Sequence, residues 1–183
     1  MAEKKVLVVV DVQNDFVKGG VLPYGFPSRD NTGDIEKAVK EAVEGGDYVF
    51  ATRDTHHAGY HDTLEGRKLP VAHCIAGTKG WEFVPWLEEL SHGKVFVVDK
   101  PTFGSTGLGK IIMEQCARDG NMIGEIRIVG YMTSICVLAN AVLLRAQFPD
   151  TRISVMSGLC GDVDAESHHA ALKVLGMQQV DVL

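Results

Sequence analysis

The stretch EIRIVGYMTSICVLANAVLLRA, residues 125–146, contains a strand, a turn and a helix in direct succession. Residues 126–129 form a continuous apolar run, which is typical of a buried strand, and Gly130 follows it. From Ile135 onwards the apolar residues recur at helical spacing. This pattern predicts that the chain leaves a strand through a tight turn and enters a helix, with Cys136 where the helix begins.

Cys136 is a candidate nucleophile because of this position. Thr133 or Ser134 can act as the N-cap, which places Cys136 among the free N–H groups of the first turn. Those groups and the helix dipole favour a thiolate over a thiol. The alternative is a small apolar side chain packed under the start of a helix, and this stretch alone does not separate the two.

Apolar runs alternate with helical patterns along the rest of the chain. Strands are predicted at residues 5–10, 48–52, 95–98, 126–129, 152–156 and 179–183, and helices at 34–44, 83–90, 108–118, 135–146 and 164–175. Asp34 and Asp164 are the predicted caps of two of these helices. The alternation predicts an α/β fold, namely a three-layer α/β/α sandwich around a six-stranded, mainly parallel sheet. A chain of 183 residues is expected to form a single domain, residues 1–183.

Composition restricts the classes of partner. The net charge is -6 and no Lys/Arg cluster is present, so we expect no nucleic-acid partner. The first apolar run is short and ends at Asp11, and no run approaches the ~18 apolar residues of a membrane span. We therefore expect no signal peptide, no membrane partner and a cytoplasmic location. Because CxxC spacing is absent, free thiols are expected at Cys74, Cys116, Cys136 and Cys160.

Four polar residues come at or shortly after the ends of four predicted strands: Asp11, Asp54, Lys100 and Cys136. The carboxyl ends of parallel strands share one rim, where ligands bind, so these side chains are expected to converge. A thiol nucleophile needs a base and a cation, and Asp11 can be the base and Lys100 the cation. Burial should raise the pKa of Asp11 and Lys100 should lower it. The alternatives are a structural ion pair, or a polar cap at Asp11 and a solvated Lys100.

The long segment of residues 55–91 is rich in His, Gly and Pro, and loops of this length inside a domain are usually functional. Two imidazoles and two carboxylates in and beside it suit a divalent metal such as Zn²⁺, Fe²⁺ or Mn²⁺, with zinc as the first expectation. The candidate ligands are Asp54, His56, Glu65 and His73. Solvated loop residues are the alternative, and it is the favoured one for His57, His61 and His92.

Aromatic residues near these points can form the wall of a pocket for a flat ring. Phe16 follows Asp11, Phe103 follows Lys100, and Trp81 ends the long segment. We expect Phe16, Phe103 and Tyr131 to bind the substrate. Ordinary core packing is the alternative.

Three segments resemble the signatures of the isochorismatase-like cysteine hydrolases: DVQNDF at 11–16, VVDKPTFGS at 97–105 and GYMTSICVLANA at 130–141. The resemblance runs from Lys5 to about Val182 and implies one hydrolase domain over residues 1–183. RDTH at 53–56, EG at 65–66 and LPVAHCIAGTKGWEF at 69–83 are similar to the metal-binding region of the nicotinamidase (pyrazinamidase) branch.

The resemblance implies a set of roles. The catalytic triad would be Asp11, Lys100 and Cys136, with an oxyanion hole from the N–H groups of Met132 and Cys136 and a cis peptide at Tyr131–Met132. The metal ligands would be Asp54, His56, Glu65 and His73, and the metal would bind the ring nitrogen of the substrate. The implied reaction is hydrolysis of nicotinamide to nicotinate and ammonia through a cysteine thioester, in NAD salvage. A homo-oligomer is also implied.

The sequence departs from the family's pattern at two places. VLPYGF at 21–26 stands where a Gly/Ala-Leu-x-Val pattern is more frequent, and Ser134-Ile135 replaces an Asp-His or Asp-Ile pair. Because the first departure lies in a loop that can touch the substrate, another small amide or carbamoyl substrate is the alternative. Weaker alternatives are a vinyl-ether hydrolase, whose chemistry does not need the cysteine, and a binding or redox module with Cys136 as a sensor thiol.

Overall fold

A computed structural model describes residues 2–183. Within them, six strands form one sheet in the order β3-β2-β1-β4-β5-β6. The strands are β1 (Glu3–Val10), β2 (Tyr48–Asp54), β3 (Phe96–Lys100), β4 (Met122–Tyr131), β5 (Arg152–Gly161) and β6 (Asp181–Val182). Every pairing between neighbours is parallel, which confirms the predicted architecture.

Helices cover both faces of this sheet. They are α1 (Thr32–Glu44), α2 (Leu64–Lys68), α3 (Pro85–Ser91), α4 (Leu108–Arg118), α5 (Leu138–Gln147) and α6 (Ala165–Met177). One apolar cluster contains buried residues of α4, α5 and α6, and a second contains buried residues of α1 and α3. The apolar residues at helical spacing therefore face the sheet from two sides, as a three-layer sandwich requires.

The strand order places a crevice beside the middle of the sheet. From β1 the chain builds outwards through β2 to β3, and then returns to β4 on the other side of β1. The central strand β1 is an almost continuous apolar run because both of its faces are covered, and Val6, Val8, Val9 and Val10 are fully buried. The reversal between β1 and β4 is the point at which open α/β sheets bind ligands.

Local predictions differ from the structure at several places. Asp34 does not cap α1, since Asn31 takes that position and Asp34 lies in the first turn. Asp164 does cap α6, accepting a hydrogen bond from the Ser167 N–H at 2.7 Å. The short α2 was not predicted, because five residues that include Gly66 carry no helical period. Strand β5 continues to Gly161, beyond the predicted end at residue 156.

Two further expectations concern the whole chain. The four cysteines are free and buried, as predicted from their spacing. Among residues 2–183, none of the helices is both long enough and apolar enough to cross a membrane.

Candidate active site

Cys136 lies at the rim where β4 ends. A π-helical turn, Thr133–Val137, joins β4 to α5 and carries Cys136 near its end. The carbonyl oxygen of Met132 accepts hydrogen bonds from the N–H groups of Ile135 (3.1 Å) and Val137 (3.0 Å). The Tyr131–Met132 peptide is cis, as the family resemblance implied. The nucleophile candidate is thus held by a widened turn, a local structure that is frequent at functional sites.

The prediction that Thr133 or Ser134 caps this helix is wrong. The N-cap position falls on Met132, and no side chain of the turn caps it. Thr133 instead donates through Oγ1 to the Gly161 carbonyl oxygen at 3.1 Å, and the Ser134 hydroxyl donates to Asp162 Oδ1 at 2.9 Å. These two hydrogen bonds link the turn to the end of the neighbouring strand β5.

Lys100 joins the polar residues at the strand ends. Its Nζ lies 2.7 Å from Asp11 Oδ2, 3.2 Å from Asp54 Oδ1 and 3.6 Å from Cys136 Sγ. The side chains of Lys100 and Asp11 are fully enclosed. Asp11 also accepts a hydrogen bond from Thr52 Oγ1 at 2.7 Å. The predicted convergence of Asp11, Asp54, Lys100 and Cys136 is present, and Lys100 is not a solvated surface residue.

The protonation states follow from burial and from the neighbouring charges. Burial raises the pKa of Asp11, and the Lys100 cation only partly opposes this rise. Burial would lower the pKa of Lys100, but the negative charges of Asp11, Cys136 and Asp54 raise it overall, so Lys100 remains an ammonium ion.

The structure makes the Cys136 thiol a weaker acid than an exposed cysteine. Burial raises its pKa well above the ordinary value, and Asp11 adds to the rise while Lys100 opposes it. The expected effect of the helix start on the thiol is therefore outweighed by desolvation. Both shifts favour a thiol that keeps its proton until it reacts, next to a carboxyl group whose affinity for that proton is raised.

A second cluster lies beside Lys100 and contains the predicted metal ligands. Ligand atoms of Asp54, His56 and His73 all lie within 4.8 Å of one another. Asp54 Oδ2 is 3.1 Å from His56 Nε2 and 3.5 Å from His73 Nε2. Glu65 Oε1 lies 3.5 Å from His56 Nε2 and 3.8 Å from His73 Nε2. All four predicted ligands are thus brought together.

The residues present fit a divalent metal. His56 Nε2 and Glu65 Oε1 are buried, and neither forms a hydrogen bond of acceptable geometry with any of residues 2–183, although each lies close to other members of the cluster. Buried polar atoms normally have partners, so these two have the surroundings of metal ligands. His73 Nδ1 lies 2.8 Å from the Val71 carbonyl oxygen, and this contact directs Nε2 towards the cluster.

The sequence reasoning missed two residues that hold this cluster in place. Gln13 donates through Nε2 to the carbonyl oxygens of Asp54 (2.9 Å) and Trp81 (2.8 Å), and its Oε1 accepts the Asp54 N–H at 2.7 Å. Asp15 Oδ2 accepts the N–H of Cys74, next to His73, at 2.7 Å. Both belong to the DVQNDF segment, and the available signal was the polar residues that follow Asp11 there.

The predicted pocket aromatics fall in different surroundings. Phe16 is buried with its ring centroid 5.7 Å from that of His73, and Phe103 is 46% exposed. Phe103 lines a cavity of about 450 Å³ together with His56 and Glu65. The Tyr131 ring is fully buried and stacked on Tyr24 at 4.5 Å, so it packs in the core. Its role in substrate binding stays a prediction.

The other candidate histidines lie outside the cluster, as expected. Those of the loop and of the end of α3 are exposed: His57, His61 and His92.

Comparison with known proteins gives one consistent result. Residues 5–183 match the model of the isochorismatase domain family. The chain is 33% identical to an uncharacterised isochorismatase family protein, PncA, of Bacillus subtilis, with 92% of each chain covered. It is 29% identical to the nicotinamidase/pyrazinamidase of Mycobacterium tuberculosis, with 98% of each covered. The crystal structure of nicotinamidase/pyrazinamidase PncA from Bacillus subtilis superposes with a TM-score of 0.82 at 28% identity, with 98% of each chain covered.

Proposed function

We propose a function from one established premise: the chain belongs to the isochorismatase family. The proposal is that it is a cysteine amidohydrolase that converts nicotinamide to nicotinate and ammonia, as in NAD salvage. The observation that carries it is the position of Lys100, whose Nζ lies 2.7 Å from Asp11, 3.2 Å from Asp54 and 3.6 Å from Cys136. One buried cation thus contacts the proposed base, the proposed nucleophile and a member of the metal cluster.

In the first half-reaction Cys136 Sγ attacks the amide carbonyl carbon while Asp11 accepts the thiol proton. The N–H groups of Met132 and Cys136 hold the oxyanion of the tetrahedral intermediate, and losing one such donor typically lowers the rate by ~10²–10³-fold. As the intermediate collapses, Asp11 returns the proton to the leaving nitrogen. Ammonia departs and the acyl group remains on sulfur as a thioester.

The second half-reaction releases the acid. Asp11, again a carboxylate, takes a proton from a water molecule that attacks the thioester carbonyl. The C–S bond breaks, the sulfur recovers its proton from Asp11, and the carboxylic acid leaves and gives up its proton to water in solution. Throughout, the Lys100 ammonium stabilises the negative charge that moves between Asp11 and Cys136.

A divalent metal, with zinc as the first choice, would be held by the two histidines and two carboxylates of the cluster: Asp54, His56, Glu65 and His73. Once bound, it would coordinate the ring nitrogen of the substrate and orient the ring, which is a templating role. Phe16, beside His73, and Phe103, in the lining of the cavity, would contact the ring faces. In this arrangement the amide would lie near the Cys136 thiol.

The choice of nicotinamide is supported by the names of the relatives and by the metal cluster, since a metal held there could take a ring nitrogen as a further ligand. One observation favours the alternative of another small amide or carbamoyl substrate. The loop whose sequence departs from the family pattern packs against the nucleophile region, since the ring of Tyr24 stacks on Tyr131. A change in this loop can therefore alter the shape of the substrate pocket.

The experiment is ammonia release from nicotinamide, pyrazinamide, an aliphatic amide and an N-carbamoyl compound. Each is measured with the chain loaded with zinc, iron or manganese, and after chelation. The proposal predicts the highest kcat/KM for the two ring amides, a large loss on chelation and recovery on reloading. Faster turnover of the N-carbamoyl or aliphatic substrate, unaffected by chelation, would establish the alternative.

A further inference from the structure

The carboxylate of Asp162 is buried at the end of β5 and points into the turn that carries Cys136. Its Oδ2 accepts the main-chain N–H of Ser134 at 2.7 Å, and its Oδ1 accepts the Ser134 hydroxyl at 2.9 Å and the Val163 N–H at 2.8 Å. Asp162 is fully buried. Among residues 2–183, no Lys, Arg or His nitrogen comes within 4.0 Å of it. A buried carboxylate without a counter-ion is unfavourable unless it accepts hydrogen bonds, and Asp162 accepts three, of 2.7, 2.9 and 2.8 Å.

The three donors explain why a carboxylate is present. A carboxylate has two oxygens that only accept, so it can satisfy all three donors at once. An amide at this position would turn an N–H₂ group towards at least one of them. The main chain of Asp162 is also fixed, because its carbonyl oxygen accepts the N–H groups of Gly25 and Phe26, each at 2.9 Å. The acceptor is thus rigidly placed.

The residue that Asp162 holds is the midpoint of the proposed oxyanion hole. Ser134 lies two residues after Met132 and two before Cys136. Fixing the Ser134 N–H therefore fixes the position of both proposed oxyanion donors and of the Cys136 sulfur relative to Asp11 and Lys100. A misplacement of about 1 Å of a reacting group can lower a rate by about 10²-fold.

We propose that Asp162 is a positioning residue of the reaction, which acts by holding the Ser134 main chain so that Cys136 is aligned with its base and its oxyanion donors. This inference rests on the proposed function and adds a residue outside the triad and the metal cluster.

Steady-state kinetics of nicotinamide hydrolysis by Asp162→Asn and Asp162→Ser test this role. Both variants are expected to lose about tenfold to a hundredfold in kcat with KM nearly unchanged, because neither side chain offers the acceptor oxygens of the carboxylate to the Ser134 N–H. Asp164→Asn is the matched control, since Asp164 caps the neighbouring helix α6 and does not touch the turn. It should leave thermal stability and kcat nearly unchanged, because asparagine caps a helix about as well as aspartate. An Asp162→Asn variant with the kcat of the unaltered chain would overturn the inference.

A second readout does not depend on the identity of the substrate. The rate at which iodoacetamide alkylates Cys136, followed by peptide mass, reports how well the thiol is aligned with Asp11 and Lys100. Removal of a nearby negative charge would by itself favour the thiolate and accelerate alkylation, whereas loss of alignment slows it. We expect at least severalfold slower alkylation in Asp162→Asn, which has nearly the same shape and volume as the unaltered side chain. An unchanged or faster rate overturns the inference.

The two proposals can fail separately. If the unaltered chain releases no ammonia from nicotinamide, the proposed substrate is wrong, and the alkylation rates still decide the role of Asp162. If the unaltered chain is active and Asp162→Asn has the same kcat and the same alkylation rate, the role of Asp162 is wrong and the proposed function stands.

Discussion

Replacement of Lys100 by Met tests whether the stability and the activity of the site depend on one buried cation. The side chain of Lys100 is fully enclosed and contacts the carboxylates of Asp11 and Asp54 at 2.7 and 3.2 Å. Methionine has a similar length, so Lys100→Met removes the charge and creates little empty volume. Two carboxylates are then left buried without their cation.

The size of the effect follows from these distances. With an effective dielectric constant of about 20, the attraction of Lys100 for each carboxylate is of the order of 5–6 kcal/mol, most of which offsets the desolvation of the charges. Removing one partner of such a buried pair typically costs about 3–5 kcal/mol of folding free energy. The free energy of unfolding of such domains is typically about 5–15 kcal/mol. The variant is therefore expected to fold, but with a clearly lower free energy of unfolding.

The loss of folding free energy in Lys100→Met depends on pH. Burial already raises the pKa of Asp11 and Lys100 opposes the rise, so the variant raises it further. A carboxyl group whose pKa is higher in the folded than in the unfolded chain stabilises the fold at low pH, and this contribution disappears as pH rises through the folded-state pKa. The stability difference between the variant and the unaltered chain should therefore be smaller at about pH 5 than at about pH 8. If the variant keeps any activity, the acid limb of its pH–activity profile should lie at a higher pH than that of the unaltered chain.

The measurement is urea unfolding of both chains at the two pH values, with kcat/KM for ammonia release against pH. The double variant Lys100→Met/Asp11→Asn is the control, because it removes one of the two stranded charges. It should regain part of the stability and none of the activity. A single variant as stable as the unaltered chain at about pH 8, or one with unchanged kcat/KM, would refute the reasoning.

Three further outcomes follow from the same geometry. Cys136→Ser should lower ammonia release by about 10⁴-fold or more with metal binding unchanged, and activity close to that of the unaltered chain would exclude the thioester route. Glu65→Gln should weaken zinc binding about tenfold or more in competition with a chromophoric chelator, whereas Glu82→Gln, on the same segment, should not; equal affinities would remove Glu65 from the ligand set. Gln13→Ala should weaken zinc binding about tenfold to a hundredfold while Cys136 remains reactive to iodoacetamide, and unchanged zinc affinity would contradict its role in holding Asp54.

The sequence is informative about residues that follow buried strands. Asp11, Asp54 and Lys100 could be placed at one rim because parallel strands present their carboxyl ends on the same side, and the apolar runs mark where each strand ends. Cys136 could be placed there by the change from strand to helical period. The structure confirms that these four residues meet, and their roles remain predictions.

Other parts of the site have no periodic signal. Gln13 and Asp162 act through hydrogen bonds between a side chain and a main chain far away in sequence, and such contacts leave no pattern in composition or spacing. The π-helical turn could not be told from an ordinary helix start, because the apolar period begins only after it. The raised pKa of the Cys136 thiol could not be predicted either, since it depends on how completely the sulfur is buried.

The most direct test of the central claim is the initial rate of ammonia release from nicotinamide by the metal-loaded unaltered chain, measured beside Cys136→Ser under the same conditions. We predict equal amounts of ammonia and nicotinate from the unaltered chain, a large loss after chelation, and no release above background from the variant. Absence of ammonia at every metal loading, or release that persists in Cys136→Ser, would contradict the account.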